Sequence, residues 1–150
     1  MTAKEYLNQL PNMQLRINSL KKSIQLCQEC ATKTGTQFSD LPMVQGNGNK
    51  IADNIEKKLD FEDELLQLVN EFEKFRFCVI CQINRIPDNR YVSLLINRYV
   101  NNMSWEEIAE IIGYNDIKYV RKILHGRALA EFEKITPLFS PFSPLYYPQK

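Results

Sequence analysis

The stretch from Arg98 to Gly113 leaves a chain like this little freedom in how it folds locally. Arg98, Tyr99 and Val100 read as the end of one helix, and Asn101 to Met103 as a short turn. Ser104 and Glu107 then stand in the Ser-x-x-Glu spacing of a capping box, in which each residue satisfies a backbone donor of the other at a helix start. Ile108, Ile111 and Ile112 recur at helical spacing around Ala109, whose small side chain lets a neighbouring helix approach closely. Gly113 supplies the left-handed residue that ends the helix. A second amphipathic segment follows at once, so the unit reads as a helix-turn-helix, a common device for placing a helix in the DNA major groove.

The second segment carries the candidate contacts. In many helix-turn-helix motifs an apolar core residue lies six places after the turn glycine, which here is Tyr119. Val120, Ile123 and Leu124 are better core candidates, so the turn is expected to be one residue longer. Asn115 or Asp116 then caps a helix running to about Glu133. With Val120 and Ile123/Leu124 inward, Ile117, Lys118, Arg121 and Lys122 face outward near the helix start, where such motifs reach base edges. Arg121 is the candidate base contact, since a guanidinium fork can pair a guanine edge. Lys118, Lys122 and Arg127 are expected to hold phosphates. Tyr119 suits a phosphate or sugar contact, or packing against the first helix, and Asn115 completes the candidate DNA-binding set. A solvated basic face is the bland alternative for the same residues. Asp116 opposes phosphate unless it caps the helix or accepts from a cytosine amine.

Net charge gives no help by itself, because the chain is only +1 overall and so lacks a global field for nucleic acid. Within residues 114–127, however, Lys118, Arg121, Lys122 and Arg127 face Asp116 alone. The preceding helix is acidic through Glu106, Glu107 and Glu110. So modest a basic face implies weak binding per copy and a need for oligomerisation or a partner.

Upstream, the chain is helical by period. Leu10, Ile17 and Ile24 are seven apart, as are Met13, Leu20 and Cys27, which makes a heptad seam on a helix from about residue 2 to 32. Pro11 fits only the first turn of a helix well, so it is a candidate for the true start. Thr34 to Asn49, with Gly35, Pro42, Gly46 and Gly48, reads as an exposed loop. A second helix is expected from about Lys50 to Asn84, striped by Ile51, Ile55, Phe61, Leu65, Leu68, Val69, Phe72, Phe75, Val79, Ile80 and Ile83. Ile86-Pro87-Asp88 ends it, and Asp88 caps a helix from Asn89 to Val100. The fold class expected is therefore all-α: a long N-terminal helical hairpin of coiled-coil character, then the helix-turn-helix. The expected domains are a hairpin and oligomerisation region at 1–85, a DNA-binding domain at 86–135 and a Pro/aromatic-rich tail at 136–150. A dimer is the oligomer expected, since it spans two half-sites.

Cys27/Cys30 and Cys78/Cys81 have the spacing of a tetrathiolate zinc site. Their surroundings lack the glycines of a metal knuckle, and an antiparallel hairpin would hold the two pairs roughly 36 Å apart at the helical rise. Core cysteines are the expectation, with no metal and no cofactor. No apolar run approaches a membrane span of roughly 18 residues, and the N-terminal residues lack a signal-peptide core, so no membrane partner and a cytoplasmic location are expected. His125 is the single histidine. No phosphate-cradling glycine loop and no nucleophile with a neighbouring base is evident, so an enzyme is not expected.

Arg98-Tyr99 followed by Ser104-Trp105-Glu106-Glu107-Ile108-Ala109 and Gly113, with Val120 to Leu129 beyond, resembles the helix-turn-helix of sigma factors (region four). It resembles more closely the small phage transcriptional regulators of the ArpU and RinA type. The similarity is specific over about Ile86 to Ile135. It implies a sequence-specific regulator, an activator of phage or prophage late genes, that binds double-stranded DNA without catalytic residues. Two alternatives share these features: a phage terminase small subunit binding packaging DNA, and a sigma-like adaptor acting on RNA polymerase.

Overall fold

A computed structural model describes residues 1–36 and 47–135. The described chain is all-helical, with no strand among those residues. The helices are α1 (Ala3–Thr36), α2 (Asn47–Ile83), α3 (Asn89–Leu95), α4 (Trp105–Ile112), α5 (Ile117–Tyr119) and α6 (His125–Ile135). A π-helical turn, Ile96–Val100, continues α3, and another, Val120–Leu124, joins α5 to α6. None of these helices is long and apolar enough to cross a membrane.

Both long helices outrun their expected limits. Gly35 lies inside α1 and Gly48 inside α2, so the loop is shorter than Thr34 to Asn49 at each end. Its remainder, with the expected tail at 136–150, falls outside the described residues. Pro11 does not start α1 but lies within it. Proline lacks the N–H that would bond one turn back, so this position forgoes one rung of the helix ladder.

The chain divides into two compact units, Met1–Asn12 with Phe72–Lys150, and Met13–Glu71. The division differs from the boundary expected near residue 85, because the ends of α1 and α2 pack with the C-terminal helices. In the first unit Tyr6 lies edge-on to Phe75 at 5.3 Å between ring centroids, and its hydroxyl donates to Gln82 Oε1 at 3.0 Å. Around it Leu7, Leu10, Val79, Ile83, Leu94, Leu95, Ile108, Val120, Leu124, Ala128 and Phe132 are buried. Burying a side chain of this size stabilises by about 1.5–3 kcal/mol, so these residues hold the unit together.

The second unit is leaner. Of the seam residues it contains, Ile17 and Leu20 are buried, while Met13, Ile24 and Cys27 are half-buried. Arg16 Nη2 meets Glu64 Oε1 at 2.6 Å, an exposed pair of the kind worth at most about 1 kcal/mol. Leu15, Leu26, Ile55, Leu59 and Leu66 are all exposed. Ile55 thus leaves the expected stripe.

Candidate nucleic-acid interface

Three caps set the geometry of residues 88–135. Asp88 caps α3, its carboxylate accepting from the Arg90 N–H at 2.9 Å and from the Arg90 guanidinium. Those bonds hold the Asp88 carboxyl below the usual carboxylate range. Ser104 caps α4: Glu107 N–H donates to Ser104 Oγ at 3.3 Å, and Ser104 N–H donates to Glu107 Oε2 at 2.8 Å. Both halves of the capping box are therefore made, and the bonds from Ser104 lower the Glu107 pKa. Gly113 closes α4 at φ 77°. Its N–H reaches Glu110 O at 3.2 Å while Tyr114 N–H reaches Ala109 O at 2.8 Å, the paired bonds of a Schellman stop. The turn before α4 uses Asn102 at φ 54°, a left-handed position that asparagine tolerates better than most residues.

Of the two candidate caps for the next helix, Asp116 is the one used, accepting from Tyr119 N–H at 3.1 Å. From there α5, the π turn and α6 run on to Ile135. Val120, Leu124, Ala128 and Phe132 are buried along this segment. On a pure α-helix such an i, i+4 row drifts by about 40° per step, and the wider π turn takes back part of that drift. The core position expected at Ile123 is therefore filled by Leu124 alone, and Ile123 is 44% exposed. In α4, Ile108 and Ala109 are buried, but Ile111 is turned to solvent and Ile112 is half-buried.

Every expected contact residue reaches the surface. Asn115, Ile117, Lys118, Arg121, Lys122 and Arg127 are exposed, and Tyr119 is half-buried. Tyr119 stacks on Tyr114 at 5.8 Å and 22°, and the Tyr114 hydroxyl accepts from Arg90 at 3.2 Å. That chain ties the start of α3 to the end of α5, so Tyr119 packs locally. Lys118, Arg121 and Lys122 fall within one and a half turns after the cap, whereas Arg127 lies further along on α6.

Arg121 also borders a recess of about 190 Å³ that the sequence gives no means of finding. It is lined by Lys4 and Asn8 of α1 together with Arg98, Tyr99, Trp105, Arg121 and His125. The Arg98 guanidinium lies 4.7 Å from the Trp105 ring centroid and donates to Met103 O at 3.0 Å. Trp105 meets His125 edge-on at 5.0 Å, so the tryptophan packs on the end of the preceding helical segment and on α6. Tyr99 Oη and His125 Nε2 are 2.9 Å apart in the interior. Burial pushes the Tyr99 phenol up to about 12. Burial first, then the charges of Lys4 and Arg98, hold His125 down at about 4.

The four cysteines are free thiols, Cys27 and Cys78 half-buried and Cys30 and Cys81 exposed. Burial raises the Cys78 pKa, which disfavours the thiolate a metal would need. No family model, curated protein or solved structure matches this chain.

Proposed function

We propose that residues 88–135 are a helix-turn-helix that binds double-stranded DNA, and that the protein is a transcriptional regulator of the sigma-like, ArpU/RinA phage type. The observation that carries this reading is the exposed Lys118-Arg121-Lys122 group one turn after the Asp116 cap, on a helix whose other side is pinned by Val120 and Leu124. Such placement suits a recognition helix, whose N-terminal residues read base edges. In this role α4 is the supporting helix, fixed by its capping box and glycine stop. Arg121 pairs a guanine edge, while Lys118, Lys122 and Arg127 hold phosphates. Asn115 and Ile117 approach the groove at the helix start. The test is duplex affinity as a function of salt, for the wild type and for Lys118→Ala and Arg121→Ala.

The N-terminal helices serve in this reading as a helical hairpin that joins copies into a dimer. Exposed Leu15, Leu26, Ile55, Leu59 and Leu66 support it, because so many large apolar side chains left in water are costly to a lone chain. Pairing two copies would also compensate for the small positive excess of each. A second reading, an adaptor on RNA polymerase, draws on exposed Glu106, Glu107 and Glu110 of α4. Those carboxylates repel phosphate and suit a basic protein surface. The location proposed for either role is the cytoplasm.

A further inference from the structure

The recess beside Arg121 has the chemistry of an anion seat. Lys4, Arg98 and Arg121 bring three cationic groups to one opening of about 190 Å³, Asn8 adds an amide, and no carboxylate lines it. Among the described residues neither the Lys4 nor the Arg121 side chain makes a hydrogen bond or ion pair, and the Glu133 carboxylate near Lys4 accepts instead from the Ala3 N–H at 3.0 Å. Arg98 is held in place by its bond to Met103 O and by the Trp105 ring. Its remaining N–H groups stay available, and a guanidinium so fixed loses little freedom when it binds. Like charges gathered without a counter-ion repel one another, and an anion between them removes that cost. The cations come from α1, from the end of the α3 segment and from the π turn after α5, so the seat exists only in the folded first unit.

We infer that this recess binds a phosphoryl group through Lys4 and Arg98, with Arg121 at its rim left to the base edge and Trp105 as its neighbour. Tetrahedral oxyanions with several acceptor oxygens match convergent guanidinium and ammonium donors. The phosphoryl group is supplied either by a DNA backbone or by a free phosphorylated small molecule. Only the first source rests on the DNA-binding reading. There the recess adds to the interface a clamp from the opposite end of the chain.

Trp105 is the single tryptophan, so its emission reports on the site directly. Pyrophosphate is titrated into the full-length protein against sodium chloride of matched ionic strength, with Lys4→Glu and Lys4→Arg in parallel. Lys4 is exposed, so its replacement leaves the core intact. The expected result is a saturable change in Trp105 emission, weakened about tenfold or more in Lys4→Glu and kept in Lys4→Arg. No change beyond the chloride control, or an equal response in Lys4→Glu, overturns the inference. A second arm measures duplex affinity against salt for Lys4→Ala. A fall of about one in the salt slope assigns the seat to a backbone phosphate, and an unchanged slope, with pyrophosphate bound by the wild type and weakened in Lys4→Glu, assigns it to a free ligand. If pyrophosphate binds but duplex DNA does not, the seat stands and the DNA-binding reading falls.

Discussion

His125 shows how one side chain couples the core to solvent conditions. It is buried, bonded to the Tyr99 hydroxyl, and faced by Lys4 and Arg98 with no carboxylate among the groups that shift it. Its pKa falls from 6.5 to about 4 on folding. The unfolded chain therefore binds a proton between those values that the folded chain refuses. The stability tied to neutral His125 is fully present above pH 6.5 and is lost as pH falls toward 4. Thermal unfolding followed from pH 7 to 5 should show a falling midpoint, worth roughly 2 kcal/mol at most. His125→Gln, whose amide does not titrate, should flatten that dependence. An equally steep profile in the variant would mean that other groups set it. Tyr99 supports the same point from the other side, since its phenol keeps its proton up to about pH 12 and remains a neutral partner throughout.

At the scale of elements, α4 is capped at both ends and can therefore be weakened in a controlled way. Ser104→Ala removes a side-chain acceptor from the helix start and should cost about 1 kcal/mol. Gly113→Ala meets no atom within 4 Å of the added Cβ, so its cost is conformational only, about 1–2 kcal/mol for a left-handed residue at φ 77°. Urea unfolding of the two single variants and the double measures both, and the costs should add, because the caps lie at opposite ends. These features were legible in the sequence for a physical reason: a cap is a contract between residues three or four apart, and Ser104, Glu107 and Gly113 are written side by side. Asp88 and Asp116 were legible on the same ground. The π turns were not, since an i→i+5 bond leaves no mark in composition, and of the inward candidates Ile123 and Leu124 only Leu124 is buried. Pro11 misled for a related reason, because the packing of Leu7 and Leu10 outweighs the lost rung. The recess lay beyond local reasoning altogether. Lys4 and Asn8 meet Arg98 and Arg121 only through tertiary packing.

In the whole molecule, buried core and exposed apolar surface are divided between two units of one chain. The unit containing Phe72–Lys150 and Met1–Asn12 holds most of the buried core and all of the candidate contacts, while Met13–Glu71 exposes leucines and isoleucines along both its helices. On the DNA-binding proposal a lone copy with so small a basic face would bind weakly, and association through the second unit is the expected remedy. Light scattering should give a mass near twice the 17.6 kDa of one chain. Leu59→Glu with Leu66→Glu should lower that mass toward a single chain without unfolding α4. A concentration-independent monomer of the wild type would rule out the dimer. The central claim, DNA recognition by the helix after Asp116, is tested most directly by duplex affinity measured across salt concentrations on fragments selected for tight binding. Wild-type binding should weaken linearly on a log–log plot. Lys118→Ala should reduce the slope by about one with specificity kept, and Arg121→Ala should cost about 1–3 kcal/mol of preference for the selected site. Wild-type protein that shows no salt-dependent affinity for any duplex, or variants indistinguishable from it, would contradict the claim.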